Sequence, residues 1–279
     1  MKLPKISIII TTKQEQDVIG DLLESIRRST FKDYEIILVD NNSLDLTREI
    51  AKRYTKKIFI KGPERSAQRN FGVKKATGKY LLILDADMQL KEDVLRQAYQ
   101  LFEKDKEVGA IVIPERSFGQ GFWTQFKIFE REFYEGEDSI EAARFFKKSL
   151  FKKFGGYDLS ITGPEDWDLP LRMKKEGITI GRIKSFILHN ERKFSPWKSA
   201  KKKFYYASHA SEYLKRHPEM VFSQGNLLFR PAFFRKWRKL ISHPFLAMGM
   251  FFVRMIEMSA AGSGFICCIL NSKFKKGKS

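Results

Sequence analysis

Hydrophobic positions in the first half of the chain fall into short runs separated by helical stripes. Residues 6–11 form one β-branched run, residues 34–39 a second, and residues 80–84 a third that is almost wholly apolar. Runs of this length read as strands buried on both faces. Between the first two, Ile19, Leu22, Leu23 and Ile26 recur at helical spacing and predict a helix over residues 17–28. The same reading gives a helix over 45–54, a short strand over 57–60 and a helix over 66–76 closed by Gly78. A helix over 92–103 and a strand over 108–114 follow. Strands and helices alternating at this pitch predict an α/β fold: a Rossmann-like, mainly parallel sheet flanked by helices.

Beyond Ser117 the pattern changes. Residues 118–123 read as a loop, and residues 124–134 as a helix with Phe126, Phe129 and Phe133 on one side. A strand is expected at 144–146. A helix opened by Gly163 and Pro164 should run through Lys175 and stop at Gly177, with residues 179–188 returning as one strand that ends at His189. After Arg192 the chain turns basic and aromatic, punctuated by Pro218, Pro231 and Pro244. The predicted division is a catalytic domain over 1–192 and a helical extension over 193–279.

Residues 230–241 mix cations with Phe and Trp at roughly helical spacing, the pattern of helices that lie in a membrane interface. Residues 244–270 are long and apolar enough to cross a bilayer. However, Arg254 and Glu257 sit near their centre, and Gly262 and Gly264 follow. A charge at mid-bilayer costs about 2.5–3.5 kcal/mol on insertion scales. Two interfacial helices or a shallow hairpin are therefore expected rather than a span, with a buried helix pair as the alternative.

Charge sharpens this picture. The net charge is +19, and acids nearly balance bases in the first half. The excess gathers later, in clusters such as Lys201-Lys202-Lys203, residues 235–239 and residues 273–278. Such a charge favours anionic partners: nucleic acid, acidic lipid or phosphorylated substrates. The two cysteines, Cys267 and Cys268, are adjacent and form no disulfide framework, which fits a reducing compartment.

The third strand delivers Asp85 and Asp87, spaced by one residue, at its end. Ligands of open α/β sheets bind outside the carboxyl ends of the strands. Two aspartates there can hold a hard divalent cation, which can in turn hold a diphosphate. The plainer alternative is a turn that caps the next helix.

Linked segments carry a resemblance over roughly residues 5–190. The opening strand runs into Thr11-Thr12-Lys13-Gln14-Glu15, the second ends in Asp40-Asn41-Asn42-Ser43 with Asp45 and Thr47, and Arg69-Asn70 and Gly72 precede Asp85-Ala86-Asp87. Glu165-Asp166 opens a later helix. This order resembles the inverting, family-2-like glycosyltransferases of the GT-A fold. Thr11, Lys13 and Gln14 depart from the family's opening turn, and Gln68 stands where Ala is usual.

The resemblance implies a nucleotide-sugar donor bound by Thr11, Glu15, Asp40, Arg69 and Asp85, with Asp40 facing the base. It implies Mg2+ or Mn2+ on Asp87 and Asp85, with His189 completing the site. Oxygen ligands suit those ions. It makes Asp166 the base that accepts the acceptor's hydroxyl proton, with Glu165 supporting acceptor binding. A helix N-terminus favours an ionised Asp166.

Bland readings stand beside each assignment. Asp40 also fits an Asx turn, and the acidic pair fits ordinary acid bias at a helix start. Asp168 is a rival base. Trp167 either stacks on a sugar or plugs the core, His189 is a ligand or structural, and Arg172 contacts phosphate or pairs with an acid.

The expected function is transfer of a sugar from a nucleoside-diphosphate sugar to a glycan or lipid-linked acceptor. The expected setting is cytoplasmic, peripheral on the inner face of the cell membrane, against an anionic surface. Two rivals are a nucleotidyltransferase-like enzyme and a nucleic-acid-binding protein. Residues 11–16 lack the Gly-rich phosphate loop of the first, and the second would leave Asp85, Asp87 and Asp166 without a purpose. No nucleic-acid partner is expected.

Overall fold

The computed structural model describes residues 3–138, 140–218 and 230–276. In chain order the elements are β1 (Ile6–Thr12), α1 (Ile19–Arg28), β2 (Tyr34–Asp40), α2 (Thr47–Ala51), β3 (Ile58–Ile60), α3 (Arg65–Lys75) and β4 (Tyr80–Asp85). There follow β5 (Met88–Leu90), α4 (Val94–Lys104), β6 (Val108–Val112), β7 (Glu115–Phe118), α5 (Phe122–Glu132), β8 (Ala143–Lys147) and α6 (Lys148–Lys153). Last come α7 (Glu165–Lys175), β9 (Thr179–Arg182), β10 (Ile187–Asn190), α8 (Pro196–Ser208), α9 (Ser211–Arg216), α10 (Pro231–Arg235), α11 (Trp237–Ser242) and α12 (Pro244–Lys276).

The main sheet has seven strands in the order β3-β2-β1-β4-β8-β6-β9. Strands β1, β2, β3 and β4 pair in parallel, as do β6 and β9, while β8 runs antiparallel to both its neighbours. The chain winds outward from β1 to β3, then returns to place β4 on the other side of β1. That reversal opens a crevice at the carboxyl ends of β1 and β4, where open α/β sheets take their ligands. A smaller sheet, β5-β10-β7, stands beside it.

Alternation along β4 explains the two layers. Tyr80, Leu82 and Leu84 pack with Leu22, Ile26 and Phe102 on one face. Leu81 and Ile83 pack with Val73, Leu169 and Met173 on the other. Successive side chains of a strand point to opposite faces, so a continuous apolar run needs helices on both. Gly72 lets α3 sit close on the sheet: a Cβ there would come within 2.5 Å of Ile9 Cγ2. That approach carries Arg69, one turn earlier, down to the strand ends.

The chain divides into two compact units. One comprises Met1–Arg116, Glu141–Leu159 and Glu165–Asn190; the other comprises Ser117–Ile140, Ser160–Pro164 and Glu191–Ser279. The second has its own core of Phe129, Phe133, Tyr134, Ala232, Phe233, Ala247 and Met250.

Three expectations need correction. The single strand over 179–188 is two strands in different sheets. The polar Lys184-Ser185 step turns the chain between them, and Ser185 donates its N–H to Gln97. The loop over 118–123 is shorter, because β7 reaches Phe118 and α5 starts at Phe122. The interfacial pair or hairpin over 244–270 is one continuous helix, α12, long and apolar enough to cross a membrane by length and composition. Its charges do not break it because both are paired: Arg254 with Glu130, and Glu257 with Lys127. Gly264 does not break it because α8 fills the space, and a Cβ there would lie 2.4 Å from the Phe204 carbonyl oxygen. The basic cluster at 273–278 lies outside the described side chains.

Candidate active site

The register of β1 with its neighbours sets the edge of the site. Thr11 stands opposite Asp85, and Thr12 opposite Asp40. Loops leaving β1, β2 and β3 each contain a non-glycine residue in the left-handed region: Gln14 (φ 56°), Asn42 (φ 53°) and Glu64 (φ 69°). Such backbone is costly and persists where surrounding contacts over-determine it. Here the contacts are visible. The Gln14 N–H donates to Ser43 Oγ (2.8 Å), and Gln14 Oε1 accepts from the Leu44 N–H (2.6 Å). Glu15 N–H donates to Thr47 Oγ1, and Gln16 Oε1 accepts from Leu46. Gln14, a departure from the family's opening turn, therefore ties the first two loops together.

Asp40 is fully buried and its oxygens are engaged locally. Oδ1 accepts from Thr12 Oγ1 and Ser43 Oγ (both 2.6 Å), and Oδ2 accepts from the Ser43 N–H (2.7 Å). It was expected to face a base, and these neighbours are what its oxygens meet in this structure. The Asx-type turn is what it makes, and it shapes the floor of the edge. Gln68 reinforces that floor, its amide nitrogen donating to the carbonyls of Thr12 (3.1 Å) and Val39 (2.8 Å).

Arg69 organises the centre. Its side chain has no exposed surface, and its guanidinium meets three carboxylates. Nη2 donates to Asp85 Oδ1 at 2.8 Å, and Nη1 donates to Asp166 Oδ1 at 2.6 Å and to Glu165 Oε1 at 3.4 Å. Its carbon lies 5.2 Å from the centre of the Tyr157 ring. Asn70 holds that tyrosine by its backbone, donating to its carbonyl and accepting from its N–H. Arg69 was expected on the nucleotide sugar. It is sealed beneath the carboxylates and joins the end of β4 to the start of α7.

Arg144 was not anticipated. An antiparallel strand enters a sheet at the edge where parallel strands leave it, so the first residues of β8 belong to the site. Arg144 sits 3.6 Å from Asp85 Oδ2 and donates to Glu115 Oε1 at 2.5 Å. A basic residue opening the Phe145-Phe146 strand was the available signal.

The electrostatics follow from these contacts. Burial disfavours ionised Asp85, but Arg69, Arg144 and Arg65 outweigh it and hold its carboxyl well below the usual range. Burial, then the neighbouring Asp166 carboxylate, raises Glu165. Glu165, expected to support acceptor binding, is buried beside Arg65 and Arg69. Asp166 keeps 23% of its side-chain surface exposed and spends Oδ1 on Arg69, which leaves its other oxygen toward solvent. Asp168 is no rival: it is buried and paired with Arg172 at 2.8 Å. Arg172 also donates to the carbonyls of Phe154 and Gly156, so it pairs with an acid and caps a turn.

The expected metal trio is only partly assembled. Asp87 Oδ1 is buried without a hydrogen-bond donor and lies 3.4 Å from His189 Nε2. The pairing of β5 with β10 brings them together, placing Met88 opposite His189. A carboxylate oxygen and an imidazole nitrogen converging in this way fit Mg2+ or Mn2+. Asp85 departs from the expectation, because two guanidinium groups claim its oxygens. Among the described residues, no cluster of three or more His, Cys, Asp or Glu side chains is arranged to hold a metal.

A parallel sheet with a reversal beside β1, an Asp-x-Asp at its edge and an acidic helix start define the nucleotide-sugar enzymes of the GT-A fold. The chain belongs to glycosyl transferase family 2, which it matches over residues 7–157. It is 27% identical over 256 residues to a PGL/p-HBAD biosynthesis glycosyltransferase of Mycobacterium bovis, covering 87% of this chain and 94% of that one. It is 31% identical over 144 residues to the beta-monoglucosyldiacylglycerol synthase of Nostoc sp., covering 46% of this chain and 30% of that one. The mannosyltransferase PcManGT of Pyrobaculum calidifontis, solved with GDP-Man and Mn2+, has the same fold. Its TM-score is 0.68 at 16% identity, over 97% of this chain and 88% of that one. The protein is a glycosyltransferase.

Proposed function

We propose that this enzyme moves a sugar from a nucleoside-diphosphate sugar to the hydroxyl of a lipid-linked or surface-glycan acceptor, with inversion at the anomeric carbon. The observation that carries it is Asp166, partly exposed at the start of α7 and held to the Asp85 strand end by one sealed guanidinium. Asp166 accepts the acceptor's proton as its oxygen bonds to the anomeric carbon. The bond from that carbon to the diphosphate oxygen breaks, and a single direct displacement inverts the centre. Holding both reactants at one edge supplies the orientation. Thr11, Glu15 and the turn built on Asp40 border the donor's nucleoside end, and Arg69 and Arg144 keep Asp85 charged beside it.

Asp87 and His189 would hold Mg2+ or Mn2+, which when bound neutralises the departing diphosphate as a Lewis acid. The Mn2+ and GDP-Man in the Pyrobaculum enzyme support a divalent cation and a nucleotide sugar here. The diacylglycerol product named for the Nostoc relative supports a lipid acceptor. The basic extension supports a location at the inner face of the membrane. The predicted division into a catalytic domain over 1–192 and an extension over 193–279 is retained as part of this proposal.

Melting temperature with UDP, GDP, CDP and dTDP, each with Mn2+, Mg2+ or EDTA, tests the reading. A ligand that binds only the folded state raises the melting temperature. One diphosphate should stabilise the protein in a metal-dependent way, and Asp87→Ala should abolish the shift. No shift with any nucleotide, in folded protein, would overturn it.

A further inference from the structure

The helix α12 turns its two charges inward, among Ala247, Met250 and Val253, and large apolar side chains outward. Arg254 is 1% exposed and Glu257 is buried, yet Phe245, Met248, Phe252, Met255, Phe265 and Ile266 are all exposed. Both charges on the buried side are paired. Arg254 donates to Glu130 and to Tyr134 OH, and Glu257 accepts from Lys127 (3.2 Å) and from Ser199. Glycines allow close contact on that side: a Cβ on Gly249 would lie 2.2 Å from Phe126, and one on Gly264 would strike α8. Polar residues facing the protein and apolar residues facing outward are the arrangement of a helix in lipid.

We infer that α12 docks in the plane of an anionic bilayer, with the Phe245–Met248–Phe252–Met255–Ile266 face in the acyl boundary. This rests on the membrane-side location proposed above and gives it a geometry. Contacts with α5 and α8 run from Phe245 to Gly264, about 28 Å at 1.5 Å per residue, nearly the whole of a hydrocarbon core of about 30 Å. If α12 spanned the membrane, α8 would be drawn in beside it. Its Lys198, Lys201 and Lys202 are exposed and would enter hydrocarbon. Lying flat, α12 buries its apolar face while α8 stays in water or among headgroups.

Charge selects the occupant. Residues 193–279 hold 17 Lys and Arg against 3 Asp and Glu, a net +14. Acidic headgroups attract such a segment, whereas a second copy of it repels. The residues just before α12 fit the same surface: Phe234, Trp237 and Ile241 are exposed, and so are Arg235 and Arg238.

The test uses the full chain with vesicles of phosphatidylcholine, alone or with phosphatidylglycerol. Met248→Cys, Met255→Cys and Ile266→Cys, each with Cys267→Ser and Cys268→Ser, carry a polarity-sensitive fluorophore. All three probes should shift to the blue on anionic vesicles and lie at one shallow depth by nitroxide-lipid quenching. Phe252→Ser with Met255→Ser should lower the vesicle-bound fraction at least about tenfold and leave the nucleotide-dependent melting shift intact. A deep probe at 255 with shallow ones at 248 and 266 would mean a span and overturn the inference. So would a blue shift that needs protein concentration instead of vesicles, which would mean self-association, or no shift on anionic vesicles. Vesicle docking without any nucleotide response would sink the transferase mechanism and leave the helix assignment standing.

Discussion

Two arginines sit at the centres of two buried ion clusters, one in each compact unit, and their surroundings differ in one respect. Arg69 is sealed, but two of the acids it holds, Asp85 and Asp166, retain 20% and 23% of their side-chain surface. Arg254 is sealed and so is its acid Glu130, which keeps 5%; Lys127 joins Glu130 to Glu257, which keeps 2%. A buried ion pair gains little net stability, because desolvation offsets attraction. In the first unit the arrangement leaves carboxylate oxygens partly exposed. In the second nothing is presented, and the pairs fix where α12 meets α5. On the proposed mechanism the same chemistry serves reaction in one place and register in the other, and exposure of the acids tells them apart.

The largest expected effect separates the two by activity. Asp166→Asn should cut the rate of sugar transfer by about two to four orders of magnitude, the usual worth of a general base. Binding of the nucleoside diphosphate should be unchanged by calorimetry. A rate within a factor of a few of wild type would remove Asp166 as the base.

Stability comes next. Arg69→Met and Arg254→Met each leave buried acids without their partner, so each should cost about 3–5 kcal/mol in urea unfolding. The clusters should then diverge. Adding Glu130→Leu to Arg254→Met should recover at least half of the loss and preserve transfer to a soluble acceptor. Adding Asp85→Leu to Arg69→Met should restore no activity whatever its effect on folding, so recovered transfer there would erase the distinction.

The smallest effect is a pH dependence. Burial, then Asp166, raises Glu165 in the folded state above its unfolded value. The charged form is thus disfavoured by folding, and that cost is present above the folded value and gone below the unfolded one. Glu165→Gln should be the more stable protein at pH 8, with the difference closing as the pH falls toward about 4.5, the ordinary range of a glutamate. Wild type being the more stable protein at pH 8, with that advantage lost on acidification, would mean that Arg65 and Arg69 dominate instead.

Much of the first unit was legible because a strand buried on both faces leaves an unmistakable pattern. Residues 80–84 placed β4, and with it the edge that carries Asp85 and Asp87. The alternation of Ile19, Leu22, Leu23 and Ile26 placed α1. What could not be read was pairing across the sheet. Nothing near Arg69 says that Asp85, 16 residues away, and Asp166, 97 residues away, share its guanidinium. Arg144 was hidden because a sequence does not say which strand runs antiparallel. Asp40 stayed open between a base contact and an Asx turn, because its side chain can also serve local N–H and O–H groups and a sequence does not say which use it makes. In the second unit, Arg254 and Glu257 looked like breaks in an apolar segment. A helix keeps its charges when a neighbouring helix supplies the counter-charges, and those lie on α5, more than a hundred residues earlier.

The guanidinium of Arg69 also constrains how this chain can change. Asp85, Glu165 and Asp166 contact it from positions 16, 96 and 97 residues away. Losing any one acid unbalances the charge felt by the other two, and losing the arginine strands all three. Substitutions here are epistatic: a replacement harmless in one background is damaging in the next, and the order in which replacements arrive decides which survive. Variation at these sites is expected to be inherited in sets, so a library that randomises them together would find functional combinations that no series of single replacements reaches.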